Sequence, residues 1–232
     1  VILGIGLLFG SGASSLISIC LGSHDKERAE RLLGTVLKSL LIIGVGLMIL
    51  GPLFANPIIK FLGATEETFG YTKDYFIVIY LMAIPYLLAN ALNPLVRADG
   101  NPHLSMLMVG AGAIGNIILD WLFVIELGMG TMGAALATGA GVIFSTIIGL
   151  WYFLSGKSHV KFHKKYFKID KELLKDIFKI GFVSFMIQIS IGVVILVQNV
   201  ILYQYGNTAD IAIFCVTGYV ISLYTQLCVG MS

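Results

Sequence analysis

Ser105-Met-Leu-Met-Val-Gly-Ala-Gly-Ala-Ile-Gly-Asn116-Ile-Ile-Leu-Asp120-Trp-Leu-Phe-Val-Ile125 is long and apolar enough to cross a bilayer, yet it carries a carboxylate. Ser105, Asn116 and Asp120 are its only strongly polar members. A charge at the bilayer centre costs at least about 2.5–3.5 kcal/mol, so such a residue faces a cavity, a partner or an ion. Asn116 lies four residues before Asp120 and shares its helical face. A carboxylate and an amide stacked on one face form an ion or proton site, which points to transport.

The rest of the chain agrees with a membrane setting. Its 232 residues are 57% hydrophobic and 12% charged, with mean hydropathy +0.92. A soluble domain carries about 25% charged residues. Gly is abundant at 27 residues and Pro scarce at 5, a balance that suits closely packed membrane helices. Cys20, Cys215 and Cys228 sit in apolar runs without metal-ligand spacing and read as small packing residues.

Seven apolar segments are each long enough to span roughly 30 Å of hydrocarbon. They are Val1–Leu21, about Thr35–Phe61, about Tyr75–Leu95, about Leu104–Ile125, about Thr131–Leu154, about Phe182–Tyr205, and a last one from Ile211 onward. The fold class expected is an all-α polytopic membrane bundle. The first segment starts without Met or a basic leader and the last has no polar flank, so a piece of a longer protein is expected. Basic residues alternate strictly by loop. All 15 except Lys60 and Lys73 fall on one side, while Glu66, Glu67, Asp74, Glu126 and Asp210 mark the other. The excess of positive charge places the basic loops in the cytoplasm.

The one long connection, Gly156 to about Ile180, carries eight lysines. Within it Asp170–Lys179 alternates charges with Leu173, Leu174, Ile177 and Phe178, which predicts an amphipathic helix lying at the inner surface. The lysines suit an anionic lipid surface rather than nucleic acid. Pro85 predicts a kink in the third segment, and Asp99-Gly100-Asn101-Pro102 a tight turn. His24, His103, His159 and His163 all fall on the inner side and read as solvated.

Depth brings the polar residues together. At 1.5 Å per residue Asp120 lies about 9 Å from the outer end of its helix and Asn116 about 15 Å. Thr138, on the returning helix, lies about 12 Å deep. Gly133, Ala134, Ala135, Ala137, Gly139 and Gly141 on one helix, and Gly110, Gly112 and Gly115 on the other, permit the close approach this needs.

Asn116-Ile-Ile-Leu-Asp120, the small-residue run Gly133-Ala-Ala-Leu-Ala-Thr138 and the inner loop Arg97-Ala-Asp-Gly100-Asn-Pro102 resemble multidrug and toxic compound extrusion (MATE) transporters. Gly10–Gly22 followed by Ala29 is similar to that family's second helix, and the bacterial MepA/DinF-like branch is the nearest likeness. The resemblance implies twelve helices in two lobes, of which this chain holds helices two to eight. Residues 1–155 then form part of the N-terminal lobe, 156–180 the cytoplasmic inter-lobe connection, and 181–232 the start of the C-terminal lobe. It also implies a cation site in which Asn116, Asp120 and Thr138 occupy three of four positions. The fourth, an Asp on helix one, lies outside this chain. Some relatives use an acidic residue in helix seven, where this chain offers Gln188.

The implied activity is secondary active export of lipophilic cationic drugs or dyes by alternating access, coupled to Na⁺ or H⁺. Asp120 binds the ion and Asn116 and Thr138 supply neutral oxygens. A proton neutralises a carboxylate in a low-dielectric site and a Na⁺ compensates its charge, so the residues suit either ion. Tyr75, Tyr80 and Tyr86, with Phe76, offer aromatic contacts to a cation, although packing or interfacial roles explain such residues as well. No cofactor is expected beyond the coupling ion, and a monomer in the bacterial inner membrane is the expected state. The alternative in the same superfamily is a lipid-linked oligosaccharide flippase or polysaccharide exporter, whose cavity carries several basic residues. A membrane enzyme would need a nucleophile, metal cluster or acid pair at one depth, and no such set stands out.

Overall fold

The computed structural model describes residues 1–61, 66–205 and 217–218. Everything regular within them is helical: α1 (Ile2–Gly22), α2 (Lys26–Leu53), α3 (Ala55–Phe61), α4 (Glu66–Leu81), α5 (Ala83–Ala98), α6 (Pro102–Asp120), α7 (Gly130–Leu154) and α8 (Lys171–Tyr205). A π-helical turn, Trp121–Glu126, continues α6, and a 3₁₀ turn, Lys164–Tyr166, interrupts the inner connection. Five helices among the described residues are long and apolar enough to cross a membrane, and α4 with α5 makes a sixth, bent span. The expected seventh segment, from Ile211, lies outside the described residues.

Three boundaries differ from expectation. Residues 26–34, expected as loop, form the first turns of α2. Asp25 caps them by accepting from the Arg28 amide at 3.1 Å, and Ala29, Leu32 and Leu33 bury one face while the charges take the other. The expected span to Phe61 breaks at Phe54, because Pro57 has no N–H and its ring would strike the Leu53 carbonyl in a continuous helix. Pro85 acts likewise on Leu81, and the expected kink becomes a 60° break at Met82. A fourth difference concerns Asp170–Lys179. It is no separate surface helix but the start of the 35-residue α8, about 52 Å long at 1.5 Å per residue. Leu173 and Ile177 are buried, so this amphipathic face packs on protein.

The chain divides into two compact units, Val1–Ile189 and Ser190–Ser232. In the first, Phe9, Ile17, Leu32, Leu33, Val36, Leu40, Leu87, Leu92 and Leu95 form the fully buried centre where α1, α2 and α5 meet. Glycine sets the helix spacing. A Cβ on Gly10 would stand 2.9 Å from the Ala91 Cα, and one on Gly141 would collide with the Gly112 carbonyl of α6. The opposite face of α6, with Met106, Ile114 and Ile117, is exposed and apolar, as a lipid-facing surface must be.

Overpacking a close contact costs about 1–3 kcal/mol. Gly10→Val should therefore lower the thermal melting temperature of the purified full-length protein in detergent. Gly46→Ala, where nothing lies within 4 Å, should hold or raise it.

Candidate ion and substrate site

Asn116 stands in the last turns of α6, and Thr138 two turns into α7. The Asn116 Nδ2 donates to Thr138 Oγ1 at 3.4 Å, and the Thr138 hydroxyl donates to the Ala134 carbonyl one turn back at 2.8 Å. This polar pair joins the two helices just beyond the Gly112–Gly141 contact. Ser145 extends the seam inward by donating to the Met108 carbonyl.

Asp120 is half-buried and closes α6, one turn outward of Asn116, where the α-helix passes into the π-helical turn. The wider turn is confirmed by the Leu127 amide donating to Leu122 at 3.0 Å, five residues back. Single π turns recur at functional positions because they re-aim the side chains beside them. Asp120 is not among the residues lining the cavity described next, so the structure joins Asn116 to Thr138 and places the carboxylate a turn beyond them.

A cavity of about 550 Å³ runs along α1, α5, α6 and α7. Tyr86, Asn90, Asn93, Arg97, Asn116 and Thr138 supply much of its polar character. Asn90, Asn93 and Arg97 follow one face of α5 at i, i+3 and i+7, a stripe readable in the sequence but not singled out there. Their hydrogen bonds link neighbouring turns and helices. The Asn90 amide donates to the Tyr86 carbonyl at 2.7 Å, the Asn93 amide to the Ser105 carbonyl at 3.0 Å, and the Arg97 guanidinium to Asn93 Oδ1 at 3.1 Å. Arg97, expected in a loop, is the basic residue of the last turn of α5 and, among the described residues, the one formally charged group on the cavity lining.

The other candidates separate. Of the three tyrosines only Tyr86 lines this cavity. Tyr80 stacks on Phe76 at 4.3 Å, covers Gly51 and lines a different, apolar pocket with Leu47, Phe54 and Pro57. Tyr75 is exposed on α4. The 60° break explains the split, since Tyr75 and Tyr80 lie before it and Tyr86 after. Gln188 of α8 packs beside Gly4 of α1 and is also absent from the cavity lining.

Bilayer-length helices, a broken span and a cavity with a polar stripe between small-residue seams define an α-helical multi-pass membrane protein. The MatE family model matches residues 1–122. Multidrug export protein MepA of Staphylococcus saprophyticus is 35% identical over 210 residues, covering 90% of this chain and 46% of that protein. MepA of Staphylococcus aureus strain MRSA252 is 32% identical over 209 residues with the same coverage. Among solved structures, an outward-facing multidrug resistance MATE family transporter of the MOP superfamily superposes with TM-score 0.84 at 28% identity, over 96% of this chain and 49% of that one. The chain belongs to the MATE family and is a multi-pass protein of the cell membrane. It spans about half the length of the curated relatives it matches.

Interhelical hydrogen bonds in membranes average about 0.6 kcal/mol. A double-mutant cycle of Asn116→Ala and Thr138→Val, read by thermal melting, should return a coupling energy of about that size. Strict additivity would show that the two side chains do not interact.

Proposed function

We propose that this chain is part of a secondary active multidrug exporter in which Asp120 carries the coupling ion, Na⁺ or H⁺. Asn116 and Thr138 supply the neutral oxygens beside it. The observation that carries the reading is the Asn116–Thr138 contact across α6 and α7, one turn from a half-buried carboxylate in a membrane helix. The relatives named multidrug export protein support the substrate class.

In this mechanism the ion and the drug use the same bundle in turn. A Na⁺ or proton at Asp120 neutralises a charge that hydrocarbon disfavours, so the loaded and empty states differ in free energy and bias the two access states differently. The drug is a lipophilic cation or dye that rests on Tyr86 and the amide oxygens of α5 and α6. The bilayer is the only other partner, the working unit is a monomer, and no cofactor takes part beyond the coupling ion.

One observation favours a second reading. Among the described residues the cavity's formal charge is positive, at Arg97, and a guanidinium suits a phosphate or carboxylate better than a cation. Flipping of a lipid-linked oligosaccharide, or export of an acidic polysaccharide, would use it.

The complete protein in liposomes decides between them. Ethidium efflux driven by a Na⁺ gradient or by a pH gradient should appear with one gradient in wild type and be abolished in Asp120→Asn, with the melting temperature kept. Full activity in Asp120→Asn removes the coupling role. Failure of every cationic dye under both gradients favours the second reading.

A further inference from the structure

The most completely buried carboxylate in the described bundle belongs to no part of the ion site. Asp99 lies in the turn between α5 and α6, and its side chain is 0% exposed. Tyr152, in the last turn of α7, donates its hydroxyl to Asp99 Oδ2 at 2.7 Å. The His159 amide donates to the same oxygen at 2.9 Å and the Val160 amide to Oδ1 at 2.8 Å. The His159 ring is exposed, as expected, and also meets the Asp99 carbonyl through Nδ1 at 2.8 Å. One carboxylate thus gathers the α5–α6 turn, the end of α7 and residues 158–160 of the inner connection.

The same connection is held again further along. Thr35 Oγ1 of α2 donates to the Lys168 carbonyl at 3.2 Å, and Arg31 pairs with Asp170 at 2.7 Å. Gly34 makes room for the Tyr166 carbonyl, which a Cβ there would strike. Between these anchorages Phe162 and Phe167 pack edge to face, Lys38 lies over the Phe167 ring, and His163 faces Glu30 of α2 at 3.6 Å. A slack tether would show exposed backbone and few fixed partners. Residues 155–170 are largely exposed, yet fixed partners recur along them, at His159, Val160, Phe162, His163, Phe167, Lys168 and Asp170.

We propose that Asp99 is a positioning residue that turns the inner connection into a brace, so that residues 155–170 travel with the bundle of α1, α2, α5, α6 and α7 as one body during transport. The relative motion of alternating access is then taken up elsewhere in the chain. The transport arm of the test rests on the export reading above, and the proteolysis arm does not.

The full-length protein in inside-out vesicles is treated with trypsin; Lys157, Lys161 and Lys165 are exposed, but cutting beside them needs the flanking backbone to open away from its anchors. Asp99→Ala should raise cleavage there roughly tenfold or more, because a buried charged acceptor for three donors is lost. Tyr152→Phe keeps both backbone donors and should raise it less; it also serves if Asp99→Ala fails to fold. In a background with other cysteines replaced by serine, Arg31→Cys and Asp170→Cys are joined by a short bismaleimide. Dye efflux should stay within about twofold of the unlinked protein, and the link should restore efflux to Asp99→Ala. Unchanged cleavage in Asp99→Ala and Tyr152→Phe overturns the brace. So does efflux that is present before linking and stops after it. Efflux absent before linking counts against the export reading alone, and cleavage then decides the brace.

Discussion

Hydrocarbon offers a peptide N–H or C=O no water to bond, and every feature of this bundle follows from that constraint. Helices satisfy the backbone internally, so the described residues contain no other regular structure crossing the bundle. Departures from straight helix then need a local reason. Pro57 and Pro85 supply it at two positions by removing donors. At Trp121–Glu126 the ladder survives in the wider π form. Each departure falls beside a feature that matters. The Met82 break separates the aromatic pocket near Gly51 from the polar cavity, and the π turn sits next to Asp120.

Polar side chains obey the same rule. Thr138 and Thr146 return their hydroxyl protons to carbonyls one turn back, at 2.8 and 2.9 Å, and Asn90 does the same with its amide. Such bonds need no partner from a neighbouring helix, and Thr138 and Asn90 still line the cavity. The single Thr146 hydroxyl proton is shared between the Val142 carbonyl and the Pro85 carbonyl, each at 2.9 Å, so the broken span is tied to α7 at its bend. A polar stripe along the cavity is therefore compatible with an otherwise apolar bundle.

Much of this was legible in the sequence because it is local. The spans of α1, α6 and α7 follow from length and hydropathy, and the pairing of Asn116 with Thr138 follows from counting depth along two adjacent helices. What stayed hidden falls into two kinds. Hydropathy ends a helix at its first charges, so it missed that α2 starts at Lys26 and that α8 runs unbroken from Lys171, where the charges occupy only one face. Contacts between distant segments leave no spacing to read. Asp99 looks like a turn residue until residues 53 to 61 positions away close over it. The Asn90–Asn93–Arg97 stripe is a different case, since its i, i+3, i+7 spacing is local and stands in the sequence itself.

The glycine seam between α6 and α7 has a mechanical meaning. With the Gly112 carbonyl seated where Gly141 has no side chain, either helix slipping by one residue would drive a β-carbon into backbone. Slipping would also part Asn116 from Thr138. The two helices are thus keyed against sliding, as a shaft is keyed to its wheel. Any motion of the two against the rest of the bundle is then a swing of both together, which makes the α6–α7 hairpin a lever rather than a piston.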